Sequence, residues 1–358
     1  LTDIPPKEPV KTPYFTGFFF WGTTPVVPTR RGGAMKAIEA RRGAVEPVLV
    51  WTEASGPGAP GPEEVIIGVR AAGVNRADLL QARGLYPPPA GESPVMGLEV
   101  AGTILDVGSG ASPWQPGQQV IGLVPGGGYA ERCTVHRDLL LPLPGNWSFV
   151  EGAAVPEAWL TAFSNLDWEG GLRPGDNVLV HAGASGVGTA AIQIAKSAGA
   201  WVLATAGSDP KCDACRRLGA DRAVNYRNGD LADALADVAF DVVLDCVGGP
   251  YWETHLDRLR PGGRLMLIGL LGGRTAKTDL AAVLMKSLRI QGTRLRARPL
   301  GEKAAIRKAF AEKTWPLLTS GRLTPVVDST FPIRRASDAH RYLAENRNIG
   351  KVVLTIDP

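Results

Sequence analysis

The segment Gly183-Ala184-Ser185-Gly186-Val187-Gly188 is where residue type and spacing most clearly imply chemistry. It follows a short apolar run and leads into a helix-forming stretch of Ala, Ile, Gln and Lys. Backbone N–H groups at such a helix start, together with the positive end of the helix dipole, stabilise a phosphate. The glycine order is G-x-x-G-x-G rather than the commoner G-x-G-x-x-G. Ser185 stands at the middle glycine's place, where a small side chain permits close approach and offers a hydroxyl. Gly183, Ser185, Gly186, Val187 and Gly188 are therefore candidates for holding a pyrophosphate. Plain strand-to-helix turns also use glycine, so the context must decide.

A second group lies about 20 residues on. A site for NAD places an acidic residue there, accepting from the ribose 2′-OH. This chain has Gly207 and Ser208, then Lys211, with Arg216 and Arg217 further along the next helix. A small neutral tip with cations nearby suits a 2′-phosphate and favours NADPH. Asp209 argues the other way unless it serves as a helix N-cap. Lys211 read as a solvated helix residue is the weaker alternative. Tyr226 is placed to stack on the adenine side or to pack against the sheet.

Other reactive residue types carry less. Cys212-x-x-Cys215 has metal or redox spacing, but no second Cys/His pair follows at a suitable distance. His136, His181, His255 and His340 are scattered, and His181 reads as a hydrogen-bonded core residue. No Gly-x-Ser-x-Gly elbow is present, which counts against a hydrolase.

The elements that must position these residues alternate. Apolar runs at 177–180, 201–206, 222–226, 240–247, 264–269 and 288–292 are separated by helical stretches, near 186–199, to 218, and near 230–236, 251–259 and 280–286. Short runs without polar alternation, separated by helices, predict a doubly wound parallel sheet over 158–293. Residues 35–157 hold short β runs punctuated by Gly and Pro, a barrel-like, mostly antiparallel pattern. The segment 294–358 returns to helices and ends in a strand that rejoins the first part. The class is α/β, with a Rossmann unit inserted into a β domain and a ligand cleft between them.

The 358 residues suit two domains. With 44% hydrophobic and 21% charged residues, a large core is expected. A net charge of +4 without a dense basic run gives no reason to expect nucleic acid. Four cysteines, only two of them close together, fit a reducing, cytoplasmic setting, and no apolar run is long enough to span a bilayer. Residues 1–34 are proline-rich, with one apolar patch, Phe18-Phe19-Phe20-Trp21, and read as a poorly ordered extension before the strand-like start at Met35.

The order of parts resembles the medium-chain dehydrogenase/reductase superfamily. The residues carrying the likeness are Ala72-Gly73-Val74-Asn75-Arg76-Ala77-Asp78, Gly97-Leu98-Glu99-Val100-Ala101-Gly102, Gly126-Gly127-Gly128-Tyr129-Ala130-Glu131, the 183–188 turn and Gly350-Lys351-Val352-Val353. Zinc alcohol dehydrogenases of that superfamily have Cys where this chain has Asn75, and Gly-His-Glu where it has Gly97-Leu98-Glu99. Neither amide nor leucine replaces thiolate and imidazole as a zinc ligand. The chain thus resembles the zinc-free quinone oxidoreductase branch. Within that branch Asn75-Arg76-Ala77-Asp78, Pro156-Glu157-Ala158-Trp159 and Asn346-Arg347-Asn348-Ile349 are most similar to the tumour-suppressor-inducible NADPH:quinone oxidoreductase subgroup.

That resemblance implies NADPH as cofactor, with Asn346 added to its site, and a small quinone or conjugated carbonyl as hydride acceptor. It implies that Asn75 and Tyr86 donate hydrogen bonds to the acceptor oxygen, with Asp78 orienting or capping. It implies no membrane or nucleic-acid partner, and a homodimer formed through the last Rossmann strand. An enoyl-thioester or enone reductase, and a non-catalytic NADPH-binding protein of the crystallin kind, remain alternatives.

Overall fold

The computed structural model describes residues 31–357 apart from Val45. The proline-rich segment and its Phe/Trp patch lie within 1–30, outside the described residues. Strand Arg31–Arg41 begins four residues before Met35 and pairs antiparallel with Val48–Pro57.

The six apolar runs form one parallel sheet. Its spatial order is Arg222–Asn225, Trp201–Ala206, Asn177–Val180, Phe240–Asp245, Leu259–Leu267, Arg289–Gly292. In chain order this is 3-2-1-4-5-6, so the direction of progression reverses beside Asn177–Val180. Ligands of open α/β sheets bind at such a switch point, outside the carboxyl ends of the strands. The central strands are buried on both faces: Val178, Leu179 and Val180 are fully inaccessible, as are Val242 and Val243. Continuous rather than alternating hydrophobicity follows from helices covering both sides. The fifth strand starts at Leu259, earlier than the apolar run at 264, because it continues through the exposed residues Arg260, Pro261 and Gly262 and the buried Gly263.

The second sheet runs in the order Val327–Pro332, Lys351–Thr355, Glu64–Val74, Glu99–Val107, Gln119–Leu123, Leu140–Pro142, with Arg132–His136 also paired to Glu64–Val74. All its pairings are antiparallel except that of the first two strands. Val352 sits opposite Val74 and Val353 opposite Gly73. The late strand thus lies in the same sheet as the early ones, with the parallel sheet inserted between them in sequence.

One continuous core spans both sheets and includes Trp159, Phe163 and Phe310. It holds the two units in a fixed relation. Among the described residues no helix is long and apolar enough to cross a membrane.

Candidate active site

The glycine-rich turn is shaped mainly by protein packing. A Cβ on Gly188 would meet the Ala182 carbonyl at 2.3 Å, and one on Gly183 would meet Cys215 Sγ at 2.9 Å. A Cβ on Gly186 would meet Lys351 Cδ at 2.4 Å. The turn is tight enough to place Ala182 at φ +49°. Ser185 is the N-cap of helix Gly186–Ser197, and its Oγ accepts from Gly188 N at 3.0 Å. Its hydroxyl proton stays available to an anion.

The tip of Trp201–Ala206 carries Ser208, the N-cap of helix Asp209–Arg217, which makes no side-chain cap hydrogen bond. Asp209 is therefore not the cap. Its carboxylate accepts from Asn225 Nδ2 at 2.8 Å and Asn228 Nδ2 at 3.3 Å. Tyr226 lies across Gly207, where an added Cβ would meet its hydroxyl at 2.6 Å. Arg216 and Arg217 occupy the helix's last turn, and Arg216 pairs with Asp213 at 2.6 Å. The cations at the tip are instead Lys211, Arg76 and Arg227. Burial pushes the Lys211 ammonium down; Asp328 opposes this, while Arg76 and Arg227 add to it.

Asn346 joins these groups. It adopts φ +54° in an exposed turn; its carbonyl accepts from Lys211 Nζ at 2.5 Å, and its Oδ1 from Arg76 Nη2. Arg76 also donates to the Leu343 carbonyl at 2.7 Å. The Arg76 contribution was missed in the sequence because Arg76 is 270 positions from Asn346.

On the other side of the cleft Lys351 is almost fully buried, and its Nζ donates to Glu99 Oε1 at 2.5 Å, Asn75 Oδ1 at 2.7 Å and the Val74 carbonyl at 3.0 Å. Asn75 Nδ2 donates to the same Glu99 oxygen at 2.8 Å. One amide hydrogen of Asn75 is thus committed. The other faces only the distant Gly73 carbonyl at 3.5 Å and is the one available to a ligand. Glu99 Oε2 accepts the Glu157 backbone N–H at 2.8 Å. Gly350 N donates to the Ala184 carbonyl at 2.8 Å, which ties this network to the glycine-rich turn.

Asp78 orients the loop, as its capping position suggested. It accepts from Asn75 N at 2.8 Å, Gly97 N at 3.2 Å and the Tyr129 hydroxyl at 3.2 Å. Burial raises its carboxyl to about 6 despite these donors. Tyr86 lies under the Arg296 guanidinium, 5.4 Å from the ring centroid. Burial raises its phenol, and Glu157 adds to the effect. Glu157, at the start of helix Pro156–Phe163, is pushed up to about 8 by burial and then by Glu99, against Lys351 and Arg296. The shift favours its acid form near neutral pH. The sequence offered only the motif around it, not this environment.

Residues 61–145 match the alcohol dehydrogenase GroES-like domain family, and residues 186–312 the zinc-binding dehydrogenase family. The chain is 31% identical to mouse quinone oxidoreductase-like protein 2 over 303 residues, which is 83% of this chain and 86% of that protein. The chain belongs to the medium-chain dehydrogenase/reductase superfamily. A further superfamily likeness, at 40% identity over 86% of this chain, is to the spectinabilin polyketide synthase protein NorB of Streptomyces orinoci; this chain spans only 14% of NorB's length. Among solved structures, Escherichia coli quinone oxidoreductase complexed with NADPH superposes with TM-score 0.79 at 29% identity, covering 90% of this chain and 99% of that one. The CurK enoyl reductase superposes with TM-score 0.78 at 30% identity, again over 90% and 99%.

The second family's name raises the question of zinc, and the side chains here do not fit it. A metal held by Glu99 and residue 75 would stand where the Lys351 ammonium already does, and Leu98 supplies no ligand atom. Elsewhere among the described residues, His181, Asp245 and His255 cluster in the Rossmann core. His181 and His255 face each other Nε2 to Nε2 at 2.8 Å, and His181 Nδ1 is 2.9 Å from Thr205 Oγ1. Two nitrogens on one tetrahedral zinc stand roughly 3.3 Å apart. This is a hydrogen-bonded pair. It agrees with the core reading of His181. Cys212 and Cys215 are free and buried, and Cys215 packs against the glycine-rich turn.

Members of this superfamily bind a nicotinamide dinucleotide, and the residues here fit one. The helix start at Ser185 and Gly186 offers N–H donors to a pyrophosphate. Ser208, Tyr226, Lys211 and Arg76 surround the tip where a ribose would end.

Proposed function

We propose that this chain is a zinc-independent, NADPH-dependent quinone reductase of the tumour-suppressor-inducible kind. The observation that carries the reading is the Lys351 ammonium between Glu99 and Asn75. A built-in cation replaces a metal there, so the site favours an acceptor that takes hydride without a Lewis acid. Quinones are such acceptors. NADPH rather than NADH is supported by Lys211, Arg76 and Arg227 at a tip lacking an acidic residue aimed at the ribose.

The bound reduced nicotinamide supplies the hydride. Gly183, Ser185, Gly186, Val187 and Gly188 hold the pyrophosphate, and Ser208, Lys211, Tyr226 and Asn346 hold the adenosine end. Tyr86 and the remaining Asn75 hydrogen donate to the acceptor oxygen as it gains charge, a stabilisation of roughly 2.7–4 kcal/mol for a well-aligned donor.

The likeness to the CurK enoyl reductase and to NorB supports a second reading, reduction of an enoyl thioester. The deciding experiment follows absorbance at 340 nm with NADPH or NADH against an ortho-quinone, a para-quinone and an enoyl-CoA. Quinone-dependent oxidation that prefers NADPH is expected. Turnover with enoyl-CoA alone would transfer the site to the second reading, and tight NADPH binding with no turnover would make the chain a binding protein.

The occupant we assign to the outer edge of Arg289–Gly292 is a second copy of this chain. That strand is the last in its sheet, and Leu270, Leu271, Leu280, Leu284 and Met285 are exposed in the segments just before it. An unpaired edge beside apolar surface invites pairing.

A further inference from the structure

Two buried polar atoms beside Tyr86 lack partners. Arg296 is 4% exposed. Its Nε donates to the Pro125 carbonyl at 2.7 Å and its Nη1 to the Tyr86 carbonyl at 3.3 Å, while Nη2 is buried without a hydrogen bond. Glu157 Oε2 is likewise buried and unpartnered. Each group is close enough to influence the other's protonation, yet they make no hydrogen bond to one another. Leaving a buried charged donor unpaired costs more than a purely structural residue needs to bear. A packing role would be met by the methylene stem and two of the nitrogens. The third nitrogen is left over, on a guanidinium that lies 5.4 Å from the centre of the Tyr86 ring.

We propose that Arg296 Nη2 and the carboxylic acid of Glu157 form the pole of the cleft that receives the acceptor's oxygen, Arg296 stabilising the oxyanion and Glu157 protonating it. This rests on the quinone-reductase reading. One quinone oxygen gains the hydride, two electrons and one proton's mass, from the nicotinamide. The other oxygen then carries the negative charge beside the guanidinium. The Glu157 O–H bond breaks, a new O–H bond forms on the quinol, and the Glu157 carboxylate regains its proton from water. The groups facing Glu157 are Glu99 and Asp78, which favour its acid form, and Lys351, Arg296 and Lys303, which oppose it; Tyr86 adjoins it. Burial and Glu99 prevail, so the carboxyl is pushed up to about 8 and its acid form is favoured near neutral pH.

The test has two arms on the full chain loaded with NADP⁺ or NADPH. In the first, 4-nitrophenol, whose phenol and phenolate absorb at different wavelengths, is titrated into the NADP⁺ complex. Wild type is expected to bind the phenolate about tenfold better than the phenol. Arg296→Met should abolish that preference and Arg296→Lys retain part of it, with NADP⁺ affinity unchanged. In the second, kcat for an ortho-quinone should fall on the alkaline side near pH 8. Glu157→Gln should remove that limb and lower kcat roughly a hundredfold, the scale of a lost general acid, with KM for NADPH unchanged. Glu157→Asp should keep a limb and part of the rate, which separates proton delivery from folding. An alkaline limb that survives in Glu157→Gln, or equal phenolate selectivity in Arg296→Met, overturns the proposal. Arg296-dependent phenolate binding without quinone turnover would support the pole and instead overturn the quinone reading.

Discussion

Lys351 carries the most at the scale of single residues. Its ammonium has three oxygen partners in a nearly dry site, so its worth is the cost of leaving Glu99 without its counter-charge, held only by the Asn75 amide and the Glu157 N–H. Removing one member of a buried pair costs about 3–5 kcal/mol. Lys351→Met is expected to lose that much in urea denaturation, and Lys351→Met with Glu99→Gln to recover a good part of it. Equal losses in both variants would mean that shape, not charge, matters there. Lys211→Ala tests another residue: KM for NADPH should rise roughly tenfold, equivalent to about 1.4 kcal/mol, with KM for NADH unmoved. A parallel rise for both cofactors would remove the phosphate role. Asn75 and Tyr86 could be named as candidates through the family resemblance, and Lys211 through its place just after the second strand's end. Arg76 and Arg296 could not, since their partners lie 270 and 171 positions away. Glu157 stood in a quoted motif, but its unusual acidity comes from burial and from Glu99, which neighbouring residues do not reveal.

At the scale of elements, the glycine-rich turn is the most constrained piece. Gly188→Ala would drive a methyl to 2.3 Å from the Ala182 carbonyl, a backbone atom with nowhere to go. The variant should lose NADPH binding in a fluorescence titration and melt lower than wild type. Normal binding would show that the turn relaxes. The alternation of strands and helices was legible in the sequence because a parallel sheet covered on both faces produces continuous apolar runs. The start of the fifth strand was not, since Pro261 and two glycines conceal it. The pair His181 and His255 links the first strand to the helix Trp252–Arg258. Burial holds both imidazoles below their ordinary value, His255 at about 4. The unfolded chain binds these protons first, so stability from the pair is present above about pH 6.5 and is lost as pH falls toward 4. His255→Asn should therefore lose less melting temperature between pH 7 and pH 4.5 than wild type. An identical slope would assign the acid sensitivity to other groups.

At the scale of the whole molecule, the two sheets share a core, and the cleft is built from segments far apart in the chain. A split β domain was legible from the apolar strand at 351–356 that closes the helical tail. Its register against Val74 was not, because register depends on packing across the sheet. Association of two copies through the Arg289–Gly292 edge would bury Leu284 and Met285, which are 77% and 80% exposed. Light scattering is expected to give a dimer, and Leu284→Lys with Met285→Lys a monomer. A wild-type monomer at micromolar concentration would leave that edge without its assigned occupant. The pairing of Lys351–Thr355 with residues 71–74 also fixes an order of events during synthesis. Residues 71–74 leave the ribosome some 277 positions before Lys351 does. At about 5–20 residues per second the delay is on the order of tens of seconds. Throughout it that stretch has an open hydrogen-bonding edge and Glu99 lacks its counter-charge. The nascent chain is most exposed to chaperones, and to mispairing with its neighbours on a polysome, while its dinucleotide-binding half is being completed.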